Sequence, residues 1–405
     1  MFLLSWCKRK GGVTELRKQW IFNMMKNETV VNKLVKLFYK GCHNLDLSVD
    51  EVENLTWKDQ ELLLNLTVKN DLFTRYPVSS DFCRLYFKRL ISLLENCQEI
   101  HDGVYEFMCT VMSNANQPLK KEFCYKHYIV GNDLSNIVTM RETKNMVVNG
   151  TTGMKTWEAA VIMADWILCF KNLFKNKRVL ELGSGLGFTS IILAKFCDIL
   201  SLVLTDCHDD VLLNICKNVI INFPDSIQIK EDESIAYKIQ NKILEVKKLD
   251  WYYADEYPVE DVPDIIVGTD IVYDPSIIKA LCNVLQIFFK KNSNLCVYIA
   301  CVIRNESTFK LFLQNIESLN MKFEKIQFTE SVHIDWNLST NKCILKIKCR
   351  DEDYGCLLFA NNASYAIGSK TMYLLNMYFF RRDLFSELYY HNCFVKHFQL
   401  VFLDY

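Results

Sequence analysis

The stretch RVLELGSGLGFTSIILAK, at residues 178–195, constrains the fold of this chain more than any other segment. A short apolar run meets Gly183, Gly185 and Gly187, and an apolar helical pattern follows. Glycine lets the backbone approach a ligand closely, and the first turn of a helix offers free N–H groups to a carboxylate or phosphate. The stretch therefore predicts a strand, a ligand-binding turn and a helix.

Strand and helix patterns alternate through the rest of this region. The helical segments are TWEAAVIMADWILCF, which we interpret as amphipathic, DDVLLNICKNVIINF, SIIKALCNVLQIFF and STFKLFLQNIESL; the strand segments are LSLVLTD, VPDIIVGTDIVY and LCVYIACVI. Such alternation predicts right-handed crossovers and a parallel sheet covered on both faces, which is the α/β class. KFEKIQF and CILKIKC predict a final antiparallel pair at one edge.

The segments on either side differ in composition. Residues 1–145 contain little glycine and several helical patterns, including WKDQELLLNLTVKN and SSDFCRLYFKRLISLLENC, so we expect a helical domain for substrate docking or support. In the second pattern, Ser and Asp signal a cap and Leu85 belongs to the predicted apolar face. Residues 146–349 form the α/β domain. Residues 350–405 are an aromatic-rich tail, either a partner-binding extension or an addition that the core does not need; the lack of site chemistry favours the second.

Composition and charge exclude several classes of protein. The 405 residues are half hydrophobic with a net charge of −1, which fits a folded protein and removes the global electrostatic argument for nucleic-acid binding. The 17 cysteines are scattered singly, without the spacing of a disulfide framework or a metal site. The apolar start is too short for a signal peptide, and no run approaches the roughly 18 apolar residues of a membrane span. We expect a cytoplasmic monomer that holds no metal and binds neither membrane nor nucleic acid.

Asp206 ends the strand that follows the glycine turn. An acid there can accept both hydroxyls of a ribose. Ribose with an amino-acid carboxylate describes S-adenosyl-L-methionine, ribose with pyrophosphate describes NAD, and a turn without a ligand is the third interpretation. Counted from Gly183, the dinucleotide pattern G-x-G-x-x-G places bulky Phe188 at its sixth position. Counted from Gly185, it places small Ser190 there, so NAD is disfavoured without being excluded.

Two further segments carry side chains that suit such a ligand. LDW provides Asp250, which can accept the adenine amino group, and Trp251, which can lie against the adenine ring. TDIVY ends a strand with Thr269, Asp270 and Tyr273, and ligands of open α/β sheets bind at the carboxyl ends of the strands. We therefore expect Asp270 and Tyr273 in the same crevice as the ribose-binding acid. Ordinary packing for Trp251, and a helix cap or a surface acid for Asp270, are the alternative interpretations.

Together, these segments resemble a known family. The motifs GTTGMKTWEAA, VLELGSGLG, TDCH, LDW, TDIVY and VIRNESTF, within residues 148–326, are similar to the seven-β-strand methyltransferases of family 16. More narrowly, they resemble the elongation factor 2 lysine methyltransferases, whose family-86 N-terminal domain is similar to ELLLNLTVKNDLFTRYPVSSDFCRLYFKRLISLLE. The resemblance implies a seven-stranded, Rossmann-like class I sheet with an N-terminal α-helical domain. It also implies a protein-lysine N-methyltransferase that uses S-adenosyl-L-methionine on elongation factor 2.

The resemblance also assigns roles to individual residues. Those it places against S-adenosyl-L-methionine are Trp157, Gly183, Ser184, Gly185, Asp206, Trp251 and Thr269. Asp270 and Tyr273 match the D-x-x-Y motif that shapes the target-lysine site. Asp270 could attract the lysine ammonium and accept its proton, while Tyr273 could orient the amine. Transfer to another protein or a small molecule, and an inactive module that only binds S-adenosyl-L-methionine and a partner, are the competing hypotheses.

Overall fold

The structure is a computed structural model that describes residues 30–115, 123–131, 134–232, 234–257, 262–339 and 341–350. The predicted tail beyond residue 350 lies outside the described residues, as does the first part of the predicted helical domain.

Six helices open the described chain and pack around an apolar cluster of their own. They are α1 (Val30–Tyr39), α2 (Val49–Glu53), α3 (Trp57–Leu66), α4 (Asp71–Arg75), α5 (Ser80–Leu94) and α6 (Asp102–Ala115). The two helices predicted from sequence patterns are confirmed as α3 and α5. Two predicted details of α5 are wrong, since Ser79 makes no side-chain capping bond and Leu85 is exposed. Successive helical residues turn by about 100°, so Leu85 lies almost opposite the buried Cys83.

An antiparallel hairpin follows these helices. Strand β1 (Phe123–Ile129) pairs with β2 (Ile137–Thr143) along their whole length. The prediction that helices fill this stretch is therefore wrong. The domain boundaries themselves stay a prediction.

A mixed sheet forms the centre of the described chain. Its strands are β3 (Arg178–Leu182), β4 (Ser201–Asp206), β5 (Ile227–Glu231), β6 (Ser234–Ile239), β7 (Lys242–Lys248), β8 (Ile265–Thr269), β9 (Cys296–Val302), β10 (Met321–Ile326) and β11 (Lys342–Cys349), in the order β10-β11-β9-β8-β3-β4-β7-β6-β5. The five central strands, from β9 to β7, run parallel. The predicted α/β class and parallel sheet are therefore confirmed.

The sheet has two strands more than the resemblance implies. Strands β5 and β6 form a hairpin that continues the sheet beyond β7, and seven strands remain without it. Strands β5, β6 and β7 are absent from the sequence prediction, although KILEVKK in β7 buries every second residue at its centre, which is a strand signal. The predicted antiparallel pair is confirmed as β10 and β11 at the opposite edge.

Five further helices of the described chain cover the two faces of the sheet. They are α7 (Glu158–Cys169), α8 (Phe188–Phe196), α9 (Asp209–Asn222), α10 (Ile278–Lys291) and α11 (Glu306–Ser318). Helices α7, α8 and α9 share one apolar cluster, and α10 and α11 share another. The prediction that α7 is amphipathic is wrong, because its residues 159–168 are all buried. A loop covers it: the Asp165 carboxylate accepts hydrogen bonds from the Val332 N–H and the Trp336 indole N–H.

Asparagines at four-residue spacing tie the N-terminal hairpin to α9. The Asn222 side chain accepts a bond from the Thr139 N–H (2.9 Å) and donates one to the Thr139 carbonyl (2.7 Å). The Asn218 side chain accepts a bond from the Arg141 N–H (2.7 Å). Residues four apart share a helix face, so one face of α9 supplies the hydrogen-bond partners that the outer edge of β2 needs.

The described residues contain neither a disulfide nor a cluster of metal ligands. The cysteines there are free. Among these residues, no group of three or more His, Cys, Asp or Glu side chains could hold a metal ion. The described helices also lack one with both the length and the apolar character needed to cross a bilayer.

Candidate active site

The glycine turn joins β3 to α8 at the carboxyl edge of the sheet. Gly183, Gly185 and Gly187 have φ angles of +59°, +53° and +78°, a left-handed conformation that glycine adopts without steric cost. A Cβ atom at Gly183 would lie 2.9 Å from Ile271 Cγ2. One at Gly187 would lie 2.9 Å from Leu204 Cδ2. The turn predicted from the sequence is therefore present, and both its backbone and its surroundings require glycine.

Ser184 connects this turn to β4 through hydrogen bonds. Its backbone N–H donates to the Thr205 carbonyl (2.8 Å), and its hydroxyl oxygen accepts a bond from the Thr205 N–H (3.0 Å). The side chain is buried. The structure thus gives Ser184 a positioning role, and the cofactor contact that the resemblance assigns to it stays a prediction.

Glu181 lies in β3, just before the turn, and is missing from the sequence-based set of candidates. It is fully buried; its Oε2 accepts a bond from the Ser190 hydroxyl (2.5 Å), and its Oε1 has no hydrogen-bond partner. Burial raises the pKa of Glu181 to about 7, although hydrogen bonds from nearby hydroxyls oppose this shift. An acid inside an otherwise apolar strand pattern, VLEL, was the available signal. The carboxyl group therefore titrates near neutral pH at the foot of the turn.

Asp206 ends β4 directly beside the turn. Its Oδ2 accepts a bond from the Gly185 N–H (3.2 Å), and its Oδ1 accepts one from the His208 N–H (3.2 Å). Burial raises the pKa of Asp206, and these two N–H groups act in the opposite direction. A carboxylate offers about four lone-pair positions, so two bonds leave acceptor capacity on both oxygens. Asp206 is thus held in one orientation and can still accept hydrogen bonds from two hydroxyl groups.

Asp250 and Trp251 follow β7 and begin a short 3₁₀ segment, Trp251–Glu256. Asp250 caps this segment, because its Oδ1 accepts a bond from the Tyr252 N–H (3.0 Å). The six-membered ring of Trp251 lies over the turn: its Cζ2 atom is 3.4 Å from the place of a Cβ atom on Gly183. The indole therefore lies against the glycine turn, and its contact with the adenine ring stays a prediction.

Asp270 follows β8 and is held on several sides. Its backbone has a φ of +54°, and its N–H donates to the Ala300 carbonyl (2.9 Å). Its Oδ1 and Oδ2 accept bonds from the two terminal nitrogens of Arg304 (3.1 and 3.0 Å). Its Oδ1 also lies within reach of the Val302 N–H (3.3 Å). Asp270 is therefore not a helix cap, and Arg304 is a partner that sequence reasoning missed, although VIRNESTF contains it.

Trp157 lies against Arg304 and shares Thr152 as a neighbour with Tyr273, which follows Asp270 by three positions. The Arg304 guanidinium lies 5.2 Å from the centre of the Trp157 ring, and the Trp157 indole N–H donates to the Thr152 carbonyl (3.0 Å). Tyr273 interacts with the Thr152 side chain and is half exposed. Burial of its hydroxyl raises the pKa of Tyr273, so the phenol is protonated at neutral pH. A cation, two aromatic rings and a carboxylate therefore share one rim.

The strand order explains why these residues meet. Strands β8, β3, β4 and β7 are consecutive neighbours and parallel, so the residues after them lie along one edge. Thr269 is the last residue of β8 and pairs with Ala300 of β9, directly before Asp270. The predicted site residues are brought together at this edge. Their binding and catalytic roles stay predictions.

Comparison with known proteins gives consistent results. The family described as lysine methyltransferase matches residues 140–319. An uncharacterised protein of Dictyostelium discoideum is 32% identical over 276 residues, which are 62% of this chain and 75% of that protein. The protein-lysine N-methyltransferase EEF2KMT of Homo sapiens is 30% identical, over 66% of this chain and 80% of that protein. The protein-lysine N-methyltransferase EFM3 of Saccharomyces cerevisiae is 30% identical, over 57% of this chain and 68% of that protein.

Proposed function

This chain belongs to the lysine methyltransferase family, and we propose that it transfers methyl groups from S-adenosyl-L-methionine to a lysine side chain of elongation factor 2. One observation carries the proposal: a glycine turn, an indole and two oriented carboxylates converge at the carboxyl edge of four neighbouring strands. The motif resemblance supports elongation factor 2 as the substrate. We also propose that the protein acts as a monomer in the cytoplasm.

The residues at this edge fit the cofactor. The free lone pairs of Asp206 suit the two ribose hydroxyls, and Trp251 presents a flat indole for the adenine. Gly183 and Gly185 are partly exposed and left-handed, and they lie beside the first turn of α8, so their backbone can approach a ligand closely. When bound, S-adenosyl-L-methionine supplies a methyl group activated by its sulfonium. Asp250, Thr269 and Trp157 complete the proposed binding set.

Asp270 and Tyr273 prepare the acceptor amine. The nucleophile must be a neutral amine, whereas free lysine has a pKa of about 10.4. The Asp270 carboxylate attracts the ammonium group, and one of its oxygens accepts the proton that the amine must lose. The protonated Tyr273 hydroxyl donates or accepts a hydrogen bond that orients the amine. The protein contributes mainly position and exclusion of water.

Isotope transfer tests this function. The purified protein is incubated with methyl-labelled S-adenosyl-L-methionine and an extract that lacks the endogenous activity, and mass spectrometry identifies the labelled proteins. One modified lysine on elongation factor 2, absent with Asp270→Ala, is the expected result. Label on another protein would keep the chemistry and overturn the substrate. Binding of S-adenosyl-L-methionine without any transfer would overturn the enzymatic proposal in favour of a binding module.

A further inference from the structure

Arg304 forms an ion pair with Asp270, the carboxylate that we propose receives the acceptor lysine. Both of its terminal nitrogens bond to Asp270, at 3.1 and 3.0 Å, in the planar fork geometry that arginine offers a carboxylate. The same guanidinium lies over the Trp157 ring. Arg304 stands on the loop between β9 and α11, whereas Asp270 follows β8 and Trp157 precedes α7. Three separate elements are therefore joined through one cation.

We infer that Arg304 is a positioning residue that orients the Asp270 carboxylate and offsets part of its charge, so that the lysine ammonium drawn to this carboxylate can still lose its proton. This inference rests on the proposed function. A bare carboxylate beside the lysine would stabilise the ammonium form and oppose loss of its proton. A guanidinium paired to that carboxylate cancels much of this effect and leaves the oxygens available as acceptors.

The other titratable groups around Asp270 do not replace this cation. From β9, the buried Cys301 lies within electrostatic reach of Asp270. A hydrogen bond with the Cys343 thiol, burial and the charge of Asp270 raise the pKa of Cys301, so its thiol is neutral. From the loop after β8, Tyr273 is a protonated phenol. From the end of β4, Asp206 adds a further negative charge near Tyr273. Among the described groups named here, Arg304 supplies the positive charge, so its removal leaves the Asp270 carboxylate without this cation.

A matched control lies at the amino end of β8, away from the candidate site at the carboxyl ends of the strands. Arg178 forks onto Asp264, with Nη2–Oδ1 at 2.8 Å and Nε–Oδ2 at 3.3 Å. Asp264 immediately precedes β8, and Asp270 immediately follows it. An Arg178→Gln variant therefore loses a comparable ion pair on the same strand without touching the carboxyl edge.

The test compares the pH dependence of turnover in Arg304→Gln, Arg304→Lys and Arg178→Gln, with labelled S-adenosyl-L-methionine and elongation factor 2 as the probes. Arg304→Gln should lower kcat at least about tenfold at neutral pH and move the acidic limb of the kcat profile up by about one pH unit, because a positive neighbour is lost. Arg304→Lys should keep the limb in place and recover part of kcat. Arg178→Gln should follow the unaltered protein.

Each outcome decides the inference. The inference is overturned if the acidic limb of the kcat profile does not move in a folded Arg304→Gln protein. It is also overturned if Arg304→Lys lowers kcat as much as Arg304→Gln does. Should Arg304→Gln fail to fold, Arg304→Lys decides alone: lower kcat with an unmoved limb supports the inference, and a shifted limb overturns it. Absence of transfer by the unaltered protein would overturn the proposed function, whereas normal transfer with an inert Arg304 would overturn only this inference.

Discussion

Strand β8 carries an aspartate–arginine pair at each of its two ends. At the amino end, Arg178 forks onto Asp264, and at the carboxyl end Arg304 forks onto Asp270. The Asp264 side chain is 28% exposed and that of Asp270 only 7%, while the two arginines are almost equally exposed. The same chemistry therefore stands in two different surroundings.

The surroundings distinguish a site from a surface ion pair. Lysines and asparagines, including Lys291 and Asn292, line the cavity beside Asp264. The arginine that pairs with Asp270 lies over the Trp157 ring, Tyr273 follows Asp270 on the same loop, and the glycine turn is one strand away. An ion pair at the end of a strand does not by itself indicate catalysis. The carboxyl edge acquires function because loops from several parallel strands meet there.

The largest expected contrast is in turnover. Asp270→Ala should lower kcat at least about a hundredfold while most affinity for S-adenosyl-L-methionine remains, because the acceptor amine loses its proton acceptor. Asp264→Ala should leave kcat within about twofold. Steady-state methyl transfer and calorimetric binding of S-adenosyl-L-methionine measure the two quantities. Equal turnover by the two variants would remove Asp270 from the mechanism.

Glu181 is a third acid that can be compared with Asp264 and Asp270. Its carboxyl group accepts a hydrogen bond from the Ser190 hydroxyl instead of pairing with an arginine. Its folded pKa of about 7 lies above the unfolded value, so its contribution is fully present below about pH 4 and is lost as the pH rises through 7. The free energy of unfolding should therefore fall by about 3 kcal/mol between pH 4 and pH 8 through this group. Denaturant unfolding of the unaltered protein and Glu181→Gln at pH 5 and pH 8 measures the difference. The same pH dependence in both proteins would contradict the assignment.

A smaller effect is expected in cofactor affinity. Trp251→Ala should weaken binding of S-adenosyl-L-methionine about tenfold, since stacking of a base on an aromatic ring contributes about 1–3 kcal/mol. Tyr252→Ala is the neighbouring control, because that side chain is 64% exposed. Isothermal titration calorimetry compares the two dissociation constants. Unchanged affinity in Trp251→Ala would reduce this indole to a packing role.

The smallest effect belongs to the amino-end pair. Arg178 holds the pKa of Asp264 below its usual range through a side-chain hydrogen bond, so the pair stabilises the protein above about pH 4 and ceases to do so as the pH falls through the lowered pKa. Arg178→Gln should cost less than about 1 kcal/mol at pH 7, as expected for a partly exposed pair. Chemical denaturation at pH 7 and pH 3 measures it. A loss of several kcal/mol would show that the two ends of β8 resemble each other more than their surroundings suggest.

Much of the fold was predictable because buried strands and helices carry different periodicities. The strand before Gly183 and the strand ending at Asp206 follow directly from apolar runs bounded by turn residues. The prediction was incomplete at β7 and wrong for α7. Strand β7 alternates with charged residues, a strand signal that the prediction did not use, and α7 is buried on all sides because the loop that contains Val332 and Trp336 covers it.

The sequence predicted the glycines, acids and aromatic rings of the candidate site. It did not predict which side chains form ion pairs or hydrogen bonds with them. The sequence contained Arg304 and Glu181 but gave no reason to connect them with neighbouring groups. Arg304 is 34 positions from Asp270, and only the pairing of β8 with β9 brings their loops together. The depth of Glu181 likewise depends on α8 packing over β3.

The sequence by itself determined four of the five central strands of the sheet, where the chain must turn left-handed, and which acids follow the strands. These are local properties, set by periodicity, by the absence of a Cβ atom at Gly183 and Gly187, and by neighbours along the chain. Tertiary structure alone decided which arginine each acid meets and how far each carboxyl group is removed from water. Those quantities depend on contacts between residues that are distant in sequence, and through charge and desolvation they set the chemistry of the site.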